Sequence, residues 1–302
     1  MTKTKTPFFS LGSQGSIGNA ITSQKYGPVT LIRTKPKPAY RYTLAQAYQR
    51  WLYEDYVYLW HQQTQAVKDT YRTAGVRFHL TAFQYWMKYH LTNLPDILAW
   101  WKLDDNTGPT TIDSSRNLNP ATIIGASPAT GVIDRALSFD GNNDLVNCSA
   151  AASLFPTLLS PRTIEFFFIP AELGRDQYLF GYGQPVLVNG TTFQVMLHNT
   201  NIIMSIITGL GDILGTTPIL LSQTYHVALT YDGTTMRLYL NGNLEGSNVI
   251  ALSTANTVCY FAMSRDADMA RLLNGIADNG IVYNRVLDRT TIICHSLRRF
   301  PP

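Results

Sequence analysis

Residues able to do chemistry are sparse in this chain of 302 residues, and they do not gather into a recognisable catalytic set. Asp113, Ser114, Ser115, Arg116, Asn117 and Asn119 put side-chain donors at alternating positions, as a calcium loop does, without the glycine and closing glutamate of an EF-hand. The same spacing fits a loop in which Asp113 and Asn117 satisfy backbone amides. Asp140, Asn142, Asn143 and Asp144 form a second oxygen-rich stretch. It reads either as a tight turn between two strands or as a rim that contacts a glycan through Asp140, Asn142 and Asp144, with Tyr182, His198 and Tyr260 as stacking platforms. His226 follows an aromatic residue in an alternating run and reads as a packed sheet residue rather than a base. No Ser-His-Asp order, His-x-x-x-His motif, phosphate-binding loop or dinucleotide fingerprint is present, so no residue is assigned a catalytic role. Cys148, Cys259 and Cys294 are odd in number and widely spaced, which suits neither a disulfide framework nor a metal-ligand set.

The elements that would position these residues are strands over most of the chain. Residues 225–242 alternate around Asp232-Gly233, with Val227, Leu229, Tyr231, Met236, Leu238 and Leu240 on one face. The opposite face, His226, Ala228, Thr230, Arg237 and Tyr239, is mixed, as expected for one layer of a sandwich with a partly covered outer side. Forty-five per cent hydrophobic residues, 12% aromatic residues, 15 prolines and 21 glycines describe a folded, turn-rich chain leaning to β structure.

The formal charge of +4 is unevenly distributed, with residues 1–95 basic and residues 96–302 acidic. Residues 8–33 read as a small hairpin turning at Tyr26-Gly27-Pro28, and a basic connector follows with Arg33, Lys35, Lys37 and Arg41 around Pro36 and Pro38. Helical spacing then begins at Thr43 with Leu44, Tyr48, Trp51, Leu52 and Leu59. It restarts at Thr64 and again near Thr81, with Phe83, Trp86 and Met87 on one side. Pro95 marks the boundary between residues 1–95 and 96–302. The N-terminus lacks the apolar run of a signal peptide, and no window is long and apolar enough to span a membrane. Neither nucleic acid nor membrane is expected as a partner.

Two resemblances follow from these residues. Residues 96–302 resemble laminin G-like domains with a concanavalin A-like jelly roll, through five stretches in order. They are the Asp113 loop, Arg135-Ala136-Leu137-Ser138-Phe139-Asp140-Gly141, residues 162–170, the hairpin above, and residues 274–287. The resemblance implies a mainly β, antiparallel jelly-roll sandwich, with a small N-terminal hairpin-plus-helices region before it. It also implies that Asp113, Asn117 and Asp278 lie near a structural Ca2+. A retaining glycanase would need two carboxylates about 5 Å apart. Here Glu165 has no acidic partner at 167 or 169, so the chain is expected not to be an enzyme.

Residues 12–93 resemble small proteins encoded among bacteriophage structural genes, through Gly15-Ser16-Ile17-Gly18-Asn19, Arg33-Thr34-Lys35-Pro36, Thr43-Leu44-Ala45-Gln46, Trp60 and Leu80-Thr81-Ala82-Phe83. This implies a virion structural protein, synthesised in the host cytoplasm, that decorates a capsid or tail as a homo-oligomer. Arg33, Lys35, Lys37, Arg41, Trp51 and Trp60 would anchor it on other virion proteins, and the sandwich would face outward. The alternative is a carbohydrate-binding adhesin at a cell surface, with a host-surface glycan as its partner.

Overall fold

A computed structural model describes residues 15–17, 21–26, 29–34, 53, 56–93, 96–105, 108–184, 190–206, 211–255, 258–262 and 271–297. The chain forms two compact units, Met1–Thr43 and Leu44–Pro302. The first contains the antiparallel strands β1 (Gly15–Ile17), β2 (Ile21–Tyr26) and β3 (Val29–Thr34), with Tyr26 paired to Val29 across the expected turn.

The second unit opens with helices. Residues 56–62 are helical, and α1 (Gln65–Val76) and α2 (Ala82–Asn93) follow. The Thr64 hydroxyl caps α1 by accepting the Val67 N–H. A capping box starts α2, in which Gln84 N–H donates to Thr81 Oγ1 at 3.2 Å and Thr81 N–H to Gln84 Oε1 at 2.9 Å. The aromatic stripe of these helices packs inward. Tyr56, Trp86 and Met87 are buried against half-buried Trp60, Tyr71, Phe83 and Cys294. Trp60, expected as an anchoring residue, lies in this cluster with its ring 5.6 Å from that of Trp86. Lys35, Lys37, Arg41, Trp51 and the side chain of Arg33 lie outside the described residues.

The sandwich follows in chain order. Its strands are β4 (Ile97–Trp101), β5 (Thr110–Thr111), β6 (Ala121–Ile124), β7 (Ser127–Thr130), β8 (Arg135–Asp140) and β9 (Leu145–Asn147). They continue with β10 (Arg162–Pro170), β11 (Gln177–Gly183), β12 (Thr192–Leu197), β13 (Ile203–Ile206), β14 (Tyr225–Tyr231) and β15 (Thr235–Leu240). Then come β16 (Asn243–Val249), β17 (Val258–Phe261), β18 (Asn274–Tyr283) and the helix α3 (Arg289–Ser296). One sheet runs β16-β15-β14-β10-β18-β8-β7 with β4 also on β18, and the other runs β13-β12-β11-β17-β9-β6-β5. All pairings are antiparallel, and the pair of sheets is the jelly-roll sandwich that the sequence resembles.

Period-two patterning decides which side chains fill the space between the sheets. Phe166, Phe168, Leu179, Phe180, Phe193, Val195, Val227, Leu229, Tyr231, Met236 and Leu238 are all buried there with Trp101. Each large apolar side chain so buried contributes about 1.5–3 kcal/mol. Tyr182 belongs to this core, which corrects its reading as a stacking platform. Its ring is 1% exposed, and its hydroxyl donates to the Pro156 carbonyl at 2.8 Å. An inward ring at this position follows from the strand alternation, which sequence inspection of an aromatic-rich strand did not resolve. In the β14–β15 turn the Asp232 carboxylate accepts N–H bonds from Thr234 and Thr235, and Gly233 takes φ +100°. Asp232-Gly233 is therefore turn chemistry, as the alternation suggests.

Candidate functional site

Four polar regions emerge, and only one of them is open. The Asp113 loop is folded around its own carboxylate. Asp113 is 1% exposed and accepts from Trp100 N–H at 2.9 Å, from Ser115 N–H and Oγ–H at 2.8 and 2.9 Å, and from Asn119 N–H at 2.9 Å. Asn117 Nδ2 donates to the Leu98 carbonyl at 2.8 Å. Asp278 sits where β18 hands over from β8 to β4, and its Oδ2 accepts the Val132 and Ile133 N–H groups at 2.7 and 3.0 Å. Burial pushes its carboxyl up to about 7, against the downward pull of those two amides. A chain of bonds joins the two acids: Trp100 Nε1 donates to Asn279 Oδ1, and Asn279 Nδ2 to Asp278 Oδ1 at 2.7 Å. Asp113, Asn117 and Asp278 thus share one end of the sandwich, where they hold loops to strands. Among the described residues no group of three or more His, Cys, Asp or Glu is arranged to hold a metal ion.

The oxygen-rich turn is likewise self-contained. Asp140 Oδ1 accepts Asn142 N–H at 2.8 Å, and Asp144 Oδ2 accepts Asp140 N–H at 2.9 Å. The Asn142 backbone bond is the main cause holding the exposed Asp140 carboxyl below its ordinary range. The turn joins β8 to β9 and brings Asp140, Asn142 and Asp144 together at the rim. His198 lies apart, in the turn after β12, with its Nδ1 2.7 Å from Thr200 Oγ1.

A buried polar cluster lies on the outer face of the β10 sheet, beneath α3. Glu165 of β10 is fully buried, with His295 Nδ1 of α3 at 2.7 Å from Oε1 and His226 Nε2 of β14 at 3.2 Å from Oε2. Tyr283 Oη of β18 donates to Glu165 Oε1. Burial pushes the Glu165 carboxyl up, but the charge and hydrogen bonds of His295 and His226 outweigh it and hold the group anionic, far below the carboxylate range. Burial pushes the His226 imidazole down. Phe167, Ala228, Tyr239, Ile281, Leu287 and Ile292 close around the cluster. His226 is the packed sheet residue its neighbourhood suggested, and the acid without an acidic partner has two imidazoles and a phenol instead.

The open region is the β17-β9-β6-β5 part of the outer face of the other sheet; over β11–β13 that face is covered, with Tyr178, Met196 and Ile206 buried. Its register sets one row straight across: Gln194 opposite Gly181, Gly181 opposite Tyr260, Tyr260 opposite Asn147, Asn147 opposite Thr122, and Thr122 opposite Thr110. Their inward-facing strand neighbours, Phe193, Phe180, Cys259, Val146 and Ala121, line the core, so alternation turns the row outward. Gln194 and Gly181 are buried, Tyr260 and Asn147 half-buried, and Thr122 and Thr110 exposed. Leu145 and Leu272 support the Tyr260 ring. Asn147 Oδ1 accepts Ser149 N–H at 3.0 Å, which fixes the amide. The Asn147 Nδ2 hydrogens, the Tyr260 hydroxyl and the Thr122 hydroxyl have no protein partner among the described residues. From Tyr260 to Thr110 the row crosses three strand spacings, about 14 Å. None of the seven strands carries Asp, Glu, Lys, Arg or His. Of the residues suggested by sequence, this face contains Tyr260 alone. Asn147, Thr122 and Thr110 carry no signal until the strands are paired.

The family model for the concanavalin A-like lectin/glucanases superfamily matches residues 140–293, just over half of the chain. None of the curated proteins matches the chain in sequence. Among solved structures, domain 4 of AbnA, an extracellular arabinanase from Geobacillus stearothermophilus in complex with arabinotriose, superposes with a TM-score of 0.50 at 17% identity. The match covers 66% of this chain and 97% of that one. Trypanosoma rangeli sialidase superposes at 0.55 and 15% identity over 68% of this chain, which spans about a third of the sialidase, 33%. The binding domain of Paraclostridial Mosquitocidal Protein 1 superposes at 0.52 and 14% identity, over 67% of this chain and 52% of that one. These likenesses concern the fold.

Proposed function

The chain belongs to the concanavalin A-like lectin/glucanases superfamily, and from that premise we propose that it is a non-catalytic carbohydrate-binding module for neutral glycans. The observation that carries this reading is the uncharged row of Tyr260, Asn147, Thr122 and Thr110 on the outer face of the β5-to-β13 sheet. A half-buried tyrosine ring offers an apolar surface with a polar tip, and amide and hydroxyl groups beside it supply donors and acceptors at fixed spacing. That combination suits a sugar ring, which presents C–H faces and hydroxyl edges. Arabinotriose is bound by the arabinanase domain of the same fold, in line with this reading.

Hydrolysis is not part of the proposal. Most retaining and inverting glycosidases flank the bond with two carboxylates, and no strand of this sheet carries one. Glu165 lies on the opposite sheet beneath α3, bonded to His295 and Tyr283, where no polymer reaches. Calcium is not invoked either, because Asp113 and Asp278 direct their oxygens to backbone and side-chain donors of the sandwich itself. The glycan-binding reading stands without the virion setting expected from the N-terminal segment.

A panel of neutral oligosaccharides, arabinotriose included, tests the proposal by calorimetry and by assay of reducing ends. Micromolar to millimolar binding of at least one neutral glycan, unchanged by chelator and with no new reducing ends, is the expected result. Release of reducing ends, or binding restricted to the calcium-loaded protein, would overturn it.

A further inference from the structure

We propose that Cys148 and Cys259 form a redox-closable cross-strand disulfide that staples β9 to β17 directly beneath the open face. The register pairs Tyr260 with Asn147 and Phe261 with Val146. Carried one residue further, it sets Cys259 opposite Cys148, and the Cys148 N–H donates to the Cys259 carbonyl at 2.8 Å. Both side chains are fully buried in the same inter-sheet core, on the side of the strands opposite Tyr260 and Asn147. The Cys148 thiol donates to the Val146 carbonyl at 3.9 Å. Directly opposed residues of an antiparallel pair hold their Cβ atoms about 4.5–5.5 Å apart, toward the wider value where, as here, the pair is hydrogen-bonded. A disulfide needs about 3.5–4.5 Å, a closure that a strand end can supply. Cys148 stands at such an end, between the last residue of β9 and a 3-10 turn over Ser149–Leu154. Cys294 is elsewhere, on α3 against the aromatic helices, so it does not compete for either partner.

The reaction is an exchange with a small-molecule disulfide such as oxidised glutathione. The thiolate of one cysteine attacks a glutathione sulfur, breaks its S–S bond and releases one glutathione thiolate. The thiolate of the other cysteine then displaces the second glutathione from the mixed disulfide. Two protein S–H bonds and one glutathione S–S bond are replaced by one protein S–S bond and two glutathione S–H bonds. The cysteines are oxidised, and glutathione takes both electrons and both protons. Burial, with the neighbouring thiol adding to it, pushes the Cys148 thiol well up, so thiolate is scarce in the folded state. The exchange therefore belongs to folding, before the sheets close over the pair. The link would close a loop of about 110 residues, the long-loop case in which a disulfide restricts the unfolded chain most. A chain that folds in a reducing compartment would keep both thiols, and one that folds outside it would carry the staple.

The test is to unfold the reduced full chain in denaturant and refold it in a glutathione redox buffer. After an acid quench, thiols are counted by maleimide mass shift under denaturing conditions. A parallel refolding with excess reductant, followed by circular dichroism, establishes that the native fold is regained. One thiol per chain is expected in place of three, with a Cys148–Cys259 cross-linked peptide in the non-reducing map. Cys294→Ser is expected to give none and the same peptide, and the oxidised protein should unfold at higher denaturant than the reduced one. Three thiols in the refolded, native oxidised sample, or a cross-link that includes Cys294, would overturn the proposal. Because the readout is thiol stoichiometry, it is independent of whether any glycan binds.

Discussion

Replacing Glu165 by Ala is expected to destabilise the sandwich by about 3–5 kcal/mol at neutral pH, the usual cost of removing one partner from a buried ionic cluster. The substitution takes the shared acceptor from Tyr283 and the carboxylate from His226 and His295, in a cluster closed by Phe167, Ile281 and Ile292. It leaves the buried His226 and His295 rings without the carboxylate they share, and it removes the polar tie between α3 and β10. Glu165→Gln keeps the shape and one acceptor, and should cost less. Urea unfolding followed by tryptophan fluorescence measures both.

The pH dependence follows from the same groups. His226 has a folded pKa below its ordinary value, so the unfolded chain takes up a proton first as pH falls below about 6.5. Glu165 also has a lowered folded pKa, so its contribution is complete above its unfolded value and is lost as pH drops below about 4.5. Both shifts act in one direction. The unfolding midpoint of the wild type should fall steadily from pH 7 to pH 4, and Glu165→Ala should flatten the lower part of that slope. A variant that unfolds at the wild-type midpoint, with the wild-type slope, would show that the cluster carries no net stability.

The second large effect concerns binding. Tyr260→Ala is expected to weaken the affinity for a bound neutral glycan by about thirtyfold, equivalent to about 2 kcal/mol, as for other central aromatic contacts. The ring is half-buried on Leu145 and Leu272, so truncation also loses some packing. Thr122→Trp supplies the independent check, because Thr122 is exposed and a bulky ring there would obstruct the row without touching the core. Calorimetric titration should show both variants impaired and both folded. Wild-type affinity in Thr122→Trp would place the ligand elsewhere.

Much of the fold is legible in the sequence because it rests on local signals. The Asp232-Gly233 turn, the helix start near Thr81 and the alternation of Val227, Leu229 and Tyr231 each report their own geometry within a few residues. The site is legible only in fragments. Tyr260 is an aromatic residue among many until β17 pairs with β9 and β9 with β6, and Asn147 and Thr122 are ordinary strand residues until that register aligns them. The Glu165 cluster depends on contacts with His226 and with His295, 130 residues away, which no local pattern announces. The oxygen-rich stretches are conspicuous in sequence for the opposite reason. Asp113 and Asp140 stand among small polar residues because they organise their own loops. Side chains that serve local backbone amides and side chains that await a ligand have the same composition, and only the bonding separates them.

The central claim is that the uncharged outer face of the β5-to-β13 sheet takes the glycan. Backbone amide shifts of the isotope-labelled full chain, recorded while titrating the tightest neutral oligosaccharide from the panel, test it most directly. The account predicts saturable shifts at Thr110, Thr122, Asn147 and Tyr260, with the Asp113 loop and the Asp140–Asp144 turn unmoved. Shifts confined to that loop or that turn, with the four row residues unchanged, would contradict it.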